Sequence, residues 1–445
     1  MSLSMQAEIE QQASAPKAVA QAAWHGLFWL VVANAVGVLI AILLLAPGLN
    51  PLLGEWTYGR WIMVHMNLEL YGWTSIPLVG FLFYAYGADR EPFARWCRPV
   101  LWTWSAALLV GVFSWLSGQS TGKLFLDWSG YARILFVAAL LALWLFLLVV
   151  FIVRRRASSP AGLWATSFRL GGLLLLLMVP FVIYAASATG SYPPVNPDSG
   201  GPTGSSQLES SLAVVAIVLI LPLCIARRSN RASKIVPIAW IVLLAESILC
   251  AALSRSDVSH HQPVQFLSLA SLLIWLPLTP AYYAAFNWRE STRRWKRAFL
   301  WWWTALLVSG WISFLPGVLD HLKFTDGLVG HSFIAMAGFT SSFIIFVTVH
   351  LLGDDGWIFN GSRSFYLWNS SVATYAVLMI IAGWYEGFDP AFTVVPGALR
   401  NVLYAFRLLS GILMLLASFD WLVDASMLLR RPAAVSAESL QEKIA

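Results

Sequence analysis

The chain has 445 residues, of which 59% are hydrophobic and only 11% charged, with a mean hydropathy of +0.71. A soluble domain carries roughly 25% charged residues, so this composition excludes a water-soluble globular protein and points to lipid as the solvent. The net charge of +6 is no nucleic-acid footprint, because the basic residues lie between apolar segments rather than in one patch.

A membrane span needs about 20 mostly apolar residues. In chain order the sequence predicts spans near 24–46, 61–86, 99–117, 131–153, 168–189, 208–226, 235–254, 264–286, 298–316, 329–352, 366–386 and 401–428. The fold class expected is therefore all-α: one polytopic bundle of about twelve transmembrane helices (23–429), between a polar N-terminal tail (1–22) and a polar C-terminal tail (430–445). The N-terminal tail has Glu8, Glu10 and a single Lys17, not the basic start and short apolar core of a cleaved signal peptide. The stretch 190–206, rich in Pro, Gly and Ser, is a surface loop, since turn-forming backbone cannot face lipid. No internal repeat is evident in the sequence.

With the N-terminus inside, one face collects Arg90, Arg95 and Arg98, Arg154 to Arg156, Arg227 and Arg228, and Arg289 to Arg297. The opposite face holds few basic residues, among them Arg60, Lys123, Lys323 and Arg400. The positive-inside rule then predicts a multi-pass protein of the cell (inner) membrane with both termini cytoplasmic. The 24 tryptophans read mostly as interfacial belt residues. Cys97, Cys224 and Cys250 form neither a C-x-x-C nor a C-x-x-C-H motif, so neither a zinc ribbon nor a c-type haem is expected.

Of seven histidines, His65, His260, His261 and His331 fall at a similar depth near the outer interface, on three spans. Ionisable residues at membrane depth are costly and are usually functional or paired. Imidazole is a common ligand of haem iron and copper. The plain alternative is that each faces lipid headgroups.

The second span reads His65-Met-Asn-Leu-Glu69-Leu-Tyr71-Gly72-Trp73-Thr-Ser-Ile-Pro77. It resembles the second helix of the catalytic subunit (subunit I) of haem–copper oxidases of the C-family, cytochrome c oxidases with only b-type haems. The pair His260-His261, the stretch Thr325-Asp326 to Gly330-His331, and Tyr404-Ala-Phe-Arg407 resemble further motifs of that family. The resemblance implies His65 as axial ligand of a low-spin haem, His331 as ligand of a high-spin haem, His260 and His261 as copper ligands, and Arg407 as partner of haem propionates. It implies one or two b-type haems, and c-type cytochrome or other redox subunits of a respiratory complex as partners, besides membrane lipid and with no nucleic acid.

Several positions depart from the family pattern. Phe333 stands where a second low-spin ligand is expected, and Met336, one turn on, is an alternative ligand. The sixth span begins Gln207-Leu-Glu209-Ser210-Ser211 without a histidine, and Ser254 replaces the redox tyrosine. The expected copper site thus keeps two of three ligands, which makes copper doubtful. Glu69 either tunes His65 or pairs with a neighbouring helix; Glu246 either opens a proton path or makes a structural hydrogen bond. Two readings follow: a haem-binding electron-transfer subunit with an incomplete copper site, or a non-catalytic structural or assembly homologue with partly or wholly empty cofactor sites.

Overall fold

The computed structural model describes residues 17–157, 163–192, 195–198, 200–201, 203–229, 232–253 and 258–430; Ser254 and most of both tails lie outside them. The described chain is an all-α bundle. Its spans are α1 (Lys17–Leu45), α2 (Tyr58–Asn67, Leu68–Thr74 and Ser75–Tyr86), α3 (Ala94–Leu116), α4 (Gly130–Ala157), α5 (Leu163–Ala186) and α6 (Gly204–Ile225). There follow α7 (Ala232–Leu253), α8 (Pro263–Ala284), α9 (Arg293–Ser313), α10 (Asp326–Asn360), α11 (Ser362–Phe388) and α12 (Ala398–Arg430). Ten of these are long and apolar enough to cross a membrane. The remaining two, α2 and α9, fall short in hydropathy rather than in length. Glu69 and many aromatic and small residues dilute α2; an arginine-rich start and five tryptophans dilute α9. Together they match the twelve spans read from the sequence, and the protein is a multi-pass membrane protein. The first helix begins at Lys17, earlier than the span read from hydropathy.

Two apolar cores organise the bundle. One joins α1 and α2 to α3, α4 and α5; the other joins α1 to α6 through α12. Helix α1 is the shared wall, lying against α2 on one side and α12 on the other. Packing rather than water exclusion holds helices together in lipid, and aromatic rings fill the gaps: Trp128 stacks on Phe136 at 4.1 Å. Polar links cross the bundle where small residues allow them, as in Asn34 Nδ2 to Ser418 Oγ (3.1 Å) and Trp73 Nε1 to Ser341 Oγ (2.8 Å).

Candidate functional site: two histidine seats and an aspartate-held histidine pair

Two turns into helix α2 stands His65, whose ring lies against Gly37 of α1. A Cβ on Gly37 would come within 2.9 Å of the ring's Cε1, so only glycine leaves room for the imidazole. Nδ1 is 2.8 Å from the Ala33 carbonyl oxygen. That oxygen can only accept, so Nδ1 carries the proton and Nε2 keeps its lone pair. A histidine anchored in this way through one nitrogen is prepared to bind a metal through the other. His65 and Glu69 are each half-buried within the bundle. Glu69 has no polar partner among the described residues.

Three residues after His65 the helix widens into a π-helical turn, Leu68–Thr74. Such turns are rare and often mark functional sites. Two features impose it. Trp29 of α1 presses on Gly72, where a Cβ would meet the Trp29 Cβ at 2.5 Å. The Ser75 hydroxyl donates to the Leu70 carbonyl (2.8 Å) and closes the widened turn.

Helix α10 repeats this construction. His331 lies against Gly310 of α9, where a Cβ would be 3.2 Å from its Cε1, and its Nδ1 is 3.0 Å from Ser309 Oγ. A π-helical turn, Ile334–Thr340, begins at the same offset after the histidine. Trp302 of α9 presses on Gly338, and Ser341 Oγ donates to the Met336 carbonyl (3.0 Å). The spacings coincide: Trp29 to Gly37 equals Trp302 to Gly310, and His65 to Gly72 equals His331 to Gly338. Gly72-Trp73-Thr74-Ser75 and Gly338-Phe339-Thr340-Ser341 continue the match. The bundle thus contains an internal repeat, α1–α2 and α9–α10, that the sequence reading missed. The signal was His, six residues, Gly-aromatic-Thr-Ser, occurring twice.

The two seats differ in what lies before them. His331 faces a cavity of about 110 Å³ lined by Gln207, Ser211, Leu272, Trp303, Leu307 and Trp311, among others. That is small beside the roughly 300–1,000 Å³ of usual cofactor sites. Phe333 does not take part in ligation; it stacks on Tyr375 at 3.7 Å. The Arg407 guanidinium lies over the same Tyr375 (5.3 Å) and within electrostatic reach of His65. It pairs with Asp326 at 3.3 Å, and Tyr404 donates to the other Asp326 oxygen at 2.7 Å. Arg407 therefore already has an anionic partner within the protein.

The histidine pair lies elsewhere, in the loop between α7 and α8. His260 is fully buried and His261 half-exposed, their rings 4.0 Å apart. Asp320, from the loop between α9 and α10, meets both Nε2 atoms, at 2.6 Å on His260 and 3.0 Å on His261. Asp198, from the loop before α6, faces both Nδ1 atoms at 3.7 and 3.3 Å. Asn196 Nδ2 donates to His260 Nδ1 at 2.7 Å. One ligand atom each from Asp198, His260 and His261 lie within 4.8 Å of one another, a spacing a metal ion could bridge. The hydrogen bond to Asp320 raises the pKa of His261, with Asp198 helping and partial burial opposing. The Ser259 hydroxyl is the main cause that lowers Asp198. For Asp320, burial pushes upward, but hydrogen bonds from His261, the Gly317 amide and His260 outweigh it and the net direction is down. No hydrogen bond or ring contact joins the pair to His331 among the described residues. Glu246, on α7, accepts from Trp275 Nε1 at 2.6 Å, while its second oxygen is buried without a partner.

No family model and no curated protein matches the chain. Solved structures do. A chain of a heme-copper terminal oxidase dimer, determined by cryo-EM with a view to its catalytic mechanism, aligns over 94% of this chain and 85% of its own, with a TM-score of 0.58 and 12% identity. The fold is that of a haem–copper terminal oxidase chain. At this identity the likeness concerns the fold alone.

Proposed function

We propose that the chain is a haem-binding membrane subunit of a respiratory, terminal oxidase-like complex, related to subunit I of the C-family, with one b-type haem held by His65. The observation that carries this reading is the state of His65: Nδ1 is anchored to a backbone carbonyl and Nε2 keeps its lone pair. Haem bound there supplies a one-electron redox centre. The chain's own residues do the rest. The Ala33 carbonyl fixes the tautomer and orientation of His65, and Gly37 sets its depth. Arg407 and Asp326 form a balanced charge pair; a propionate would share the guanidinium with Asp326. Glu69, four residues after His65 and without a polar partner among the described residues, is the better candidate for a proton path; Glu246 is already engaged by Trp275.

A second haem on His331 needs more space than the 110 Å³ before it. Copper on His260 and His261 suits the donor set poorly as an oxygen-reducing centre. Both imidazoles are engaged by Asp198, Asp320 and Asn196, and the sixth helix offers Gln207 and Ser211 to the His331 cavity instead of a histidine. Electrons arrive from a partner carrying c-type haem, since the chain has no C-x-x-C-H. The setting is the cell membrane, with both termini cytoplasmic.

A non-catalytic structural or assembly role is the second reading. It is favoured by Phe333 stacked on Tyr375 and by Arg407 paired with Asp326, both of which are satisfied without a cofactor. A reduced-minus-oxidised spectrum of the purified protein, with a pyridine haemochrome count and a copper assay, separates the two. One b-type haem, lost in His65→Ala and kept in His331→Ala, is the expected result. Absence of haem from the folded, membrane-extracted protein overturns the first reading in favour of the second.

A further inference from the structure

A second cavity is lined by neither His65 nor His331. It is an open groove of about 1170 Å³ between α9 and α11, at the end of the bundle where the basic residues collect. Arg293, Arg294 and Arg297 stand at its mouth, and Trp301, Trp302, Ala305 and Ala373 line its depth. Helix geometry explains the layout. Positions 293, 297 and 301 are four apart and lie on one face, as do 294, 298, 302 and 305. From Arg297 to Ala305 the helix rises about 12 Å at 1.5 Å per residue. One leaflet of the hydrocarbon core is about 15 Å deep. The groove therefore runs from headgroup level down through one leaflet.

The charges at the mouth differ in availability. Arg294 is committed: its Nη1 donates to the Asn360 carbonyl (2.8 Å) and to Ser362 Oγ (3.3 Å), and it lies over Phe365 at 5.2 Å. Arg293 pairs with exposed Glu290 at 3.1 Å, a surface pair worth little. Arg297 is exposed and has no ion pair among the described residues. The rim carries three cations against one carboxylate, above a slot walled by aromatic and small side chains. Trp301, 77% exposed in the isolated chain, forms one lip.

We propose that this groove is a binding site for an anionic phospholipid, with the phosphate on Arg293 and Arg297 and an acyl chain laid along Trp301, Trp302, Ala305 and Ala373. Net positive charge at headgroup level selects an anion; the apolar slot below selects a lipid over a free phosphate. Basic pockets between transmembrane helices bind such headgroups, at about 1 kcal/mol per Lys or Arg, which is roughly a fivefold change in affinity each.

The test is native mass spectrometry of the full-length chain in detergent micelles doped with phosphatidylglycerol, and separately with phosphatidylcholine or inorganic phosphate. The expected result is one retained phosphatidylglycerol per chain, preferred over phosphatidylcholine. Its apparent affinity should fall roughly 30-fold in Arg293→Gln/Arg297→Gln and stay unchanged in Arg95→Gln, an exposed arginine elsewhere at the same end. Both substituted sites are exposed, so an unaltered thermal midpoint certifies the fold. Equal retention of the two lipids, equal loss in the Arg95 control, or capture by inorganic phosphate alone overturns the proposal. A photo-cross-linker at position 301 that attaches to a polypeptide in native membranes, and not to lipid, also overturns it and makes the groove a subunit interface.

Discussion

Gly37→Ala tests the seat of His65 directly. The added Cβ would stand 2.9 Å from Cε1 and 3.2 Å from Nδ1 of the imidazole. Carbon atoms rest at about 3.5–4.0 Å, so the ring must retreat by roughly 0.6–1 Å. A retreat of that size stretches the 2.8 Å bond to the Ala33 carbonyl to the limit of hydrogen bonding. The lost bond costs about 1 kcal/mol and the overpacking about 1–3 kcal/mol, together about 2–4 kcal/mol. The matched control is Gly411→Ala, whose Cβ would meet Val38 Cγ2 at an ordinary 3.7 Å. Thermal unfolding in detergent should place Gly37→Ala clearly below the control, with a lower haem content. Gly310→Ala, with its contact at 3.2 Å, should fall between them. Equal midpoints for Gly37→Ala and Gly411→Ala would show that His65 is free to move, and that its anchoring does not prepare it as a ligand.

Asp326→Asn leaves a buried guanidinium without its counter-charge and should cost about 3–5 kcal/mol; Asp326→Asn with Arg407→Gln should recover part of that loss, as thermal midpoints of the single and double variants would read out. Asp320→Asn removes the carboxylate shared by buried His260 and half-exposed His261; with Asp320 itself partly exposed, the expected cost is about 1–3 kcal/mol, and a copper chelator should leave the wild-type midpoint unchanged if aspartates rather than copper hold the pair. Burial is the main cause that raises the pKa of Asp89, in the loop before α3, while Arg90 and Arg154 oppose it. A raised carboxyl pKa means that the folded state binds the proton more tightly, so this group costs stability as pH climbs from its ordinary value, about 3.9, through its raised folded value. Asp89→Asn should therefore stabilise the protein at neutral pH and lose that advantage in acid, measured as the difference in midpoint across pH.

The sequence carried the bundle because lipid demands it: apolar length and the alternation of basic loops are direct records of the solvent. It also singled out His65, an ionisable residue within an apolar run. The histidine pair was different. Adjacent residues on a helix or turn give no information about which loops will cover them, so Asp198 and Asp320, over fifty residues away on either side, were invisible as partners. Arg407 was legible as a charge needing an anion, but only the packing of α10 against α12 identifies Asp326 as that anion. The repeat escaped for a related reason. Its sense lies in pairs of helices, a tryptophan on a glycine in one direction and a histidine on a glycine in the other. Read along one chain, those four residues are scattered points.

That repeat also frames what is specific about the site. Two helices of the bundle carry the same device, a glycine-seated histidine followed by a π turn that swings the next residues to a new face. The device fixes the histidine; it does not decide what the histidine holds. At α2 the anchor is a carbonyl, which can only accept, so Nε2 is left with its lone pair. At α10 the anchor is the Ser309 hydroxyl, which can donate or accept, so the tautomer of His331 is not fixed and its outlook is a narrow apolar cavity. Exchanging the anchors tests which difference matters. Ser309→Ala removes the hydrogen-bond partner of His331, and under the one-haem reading it should leave the haem count unchanged while lowering stability by about 1 kcal/mol. If that substitution instead removes haem absorbance in step with His331→Ala, the second seat holds a cofactor and the single-site assignment fails.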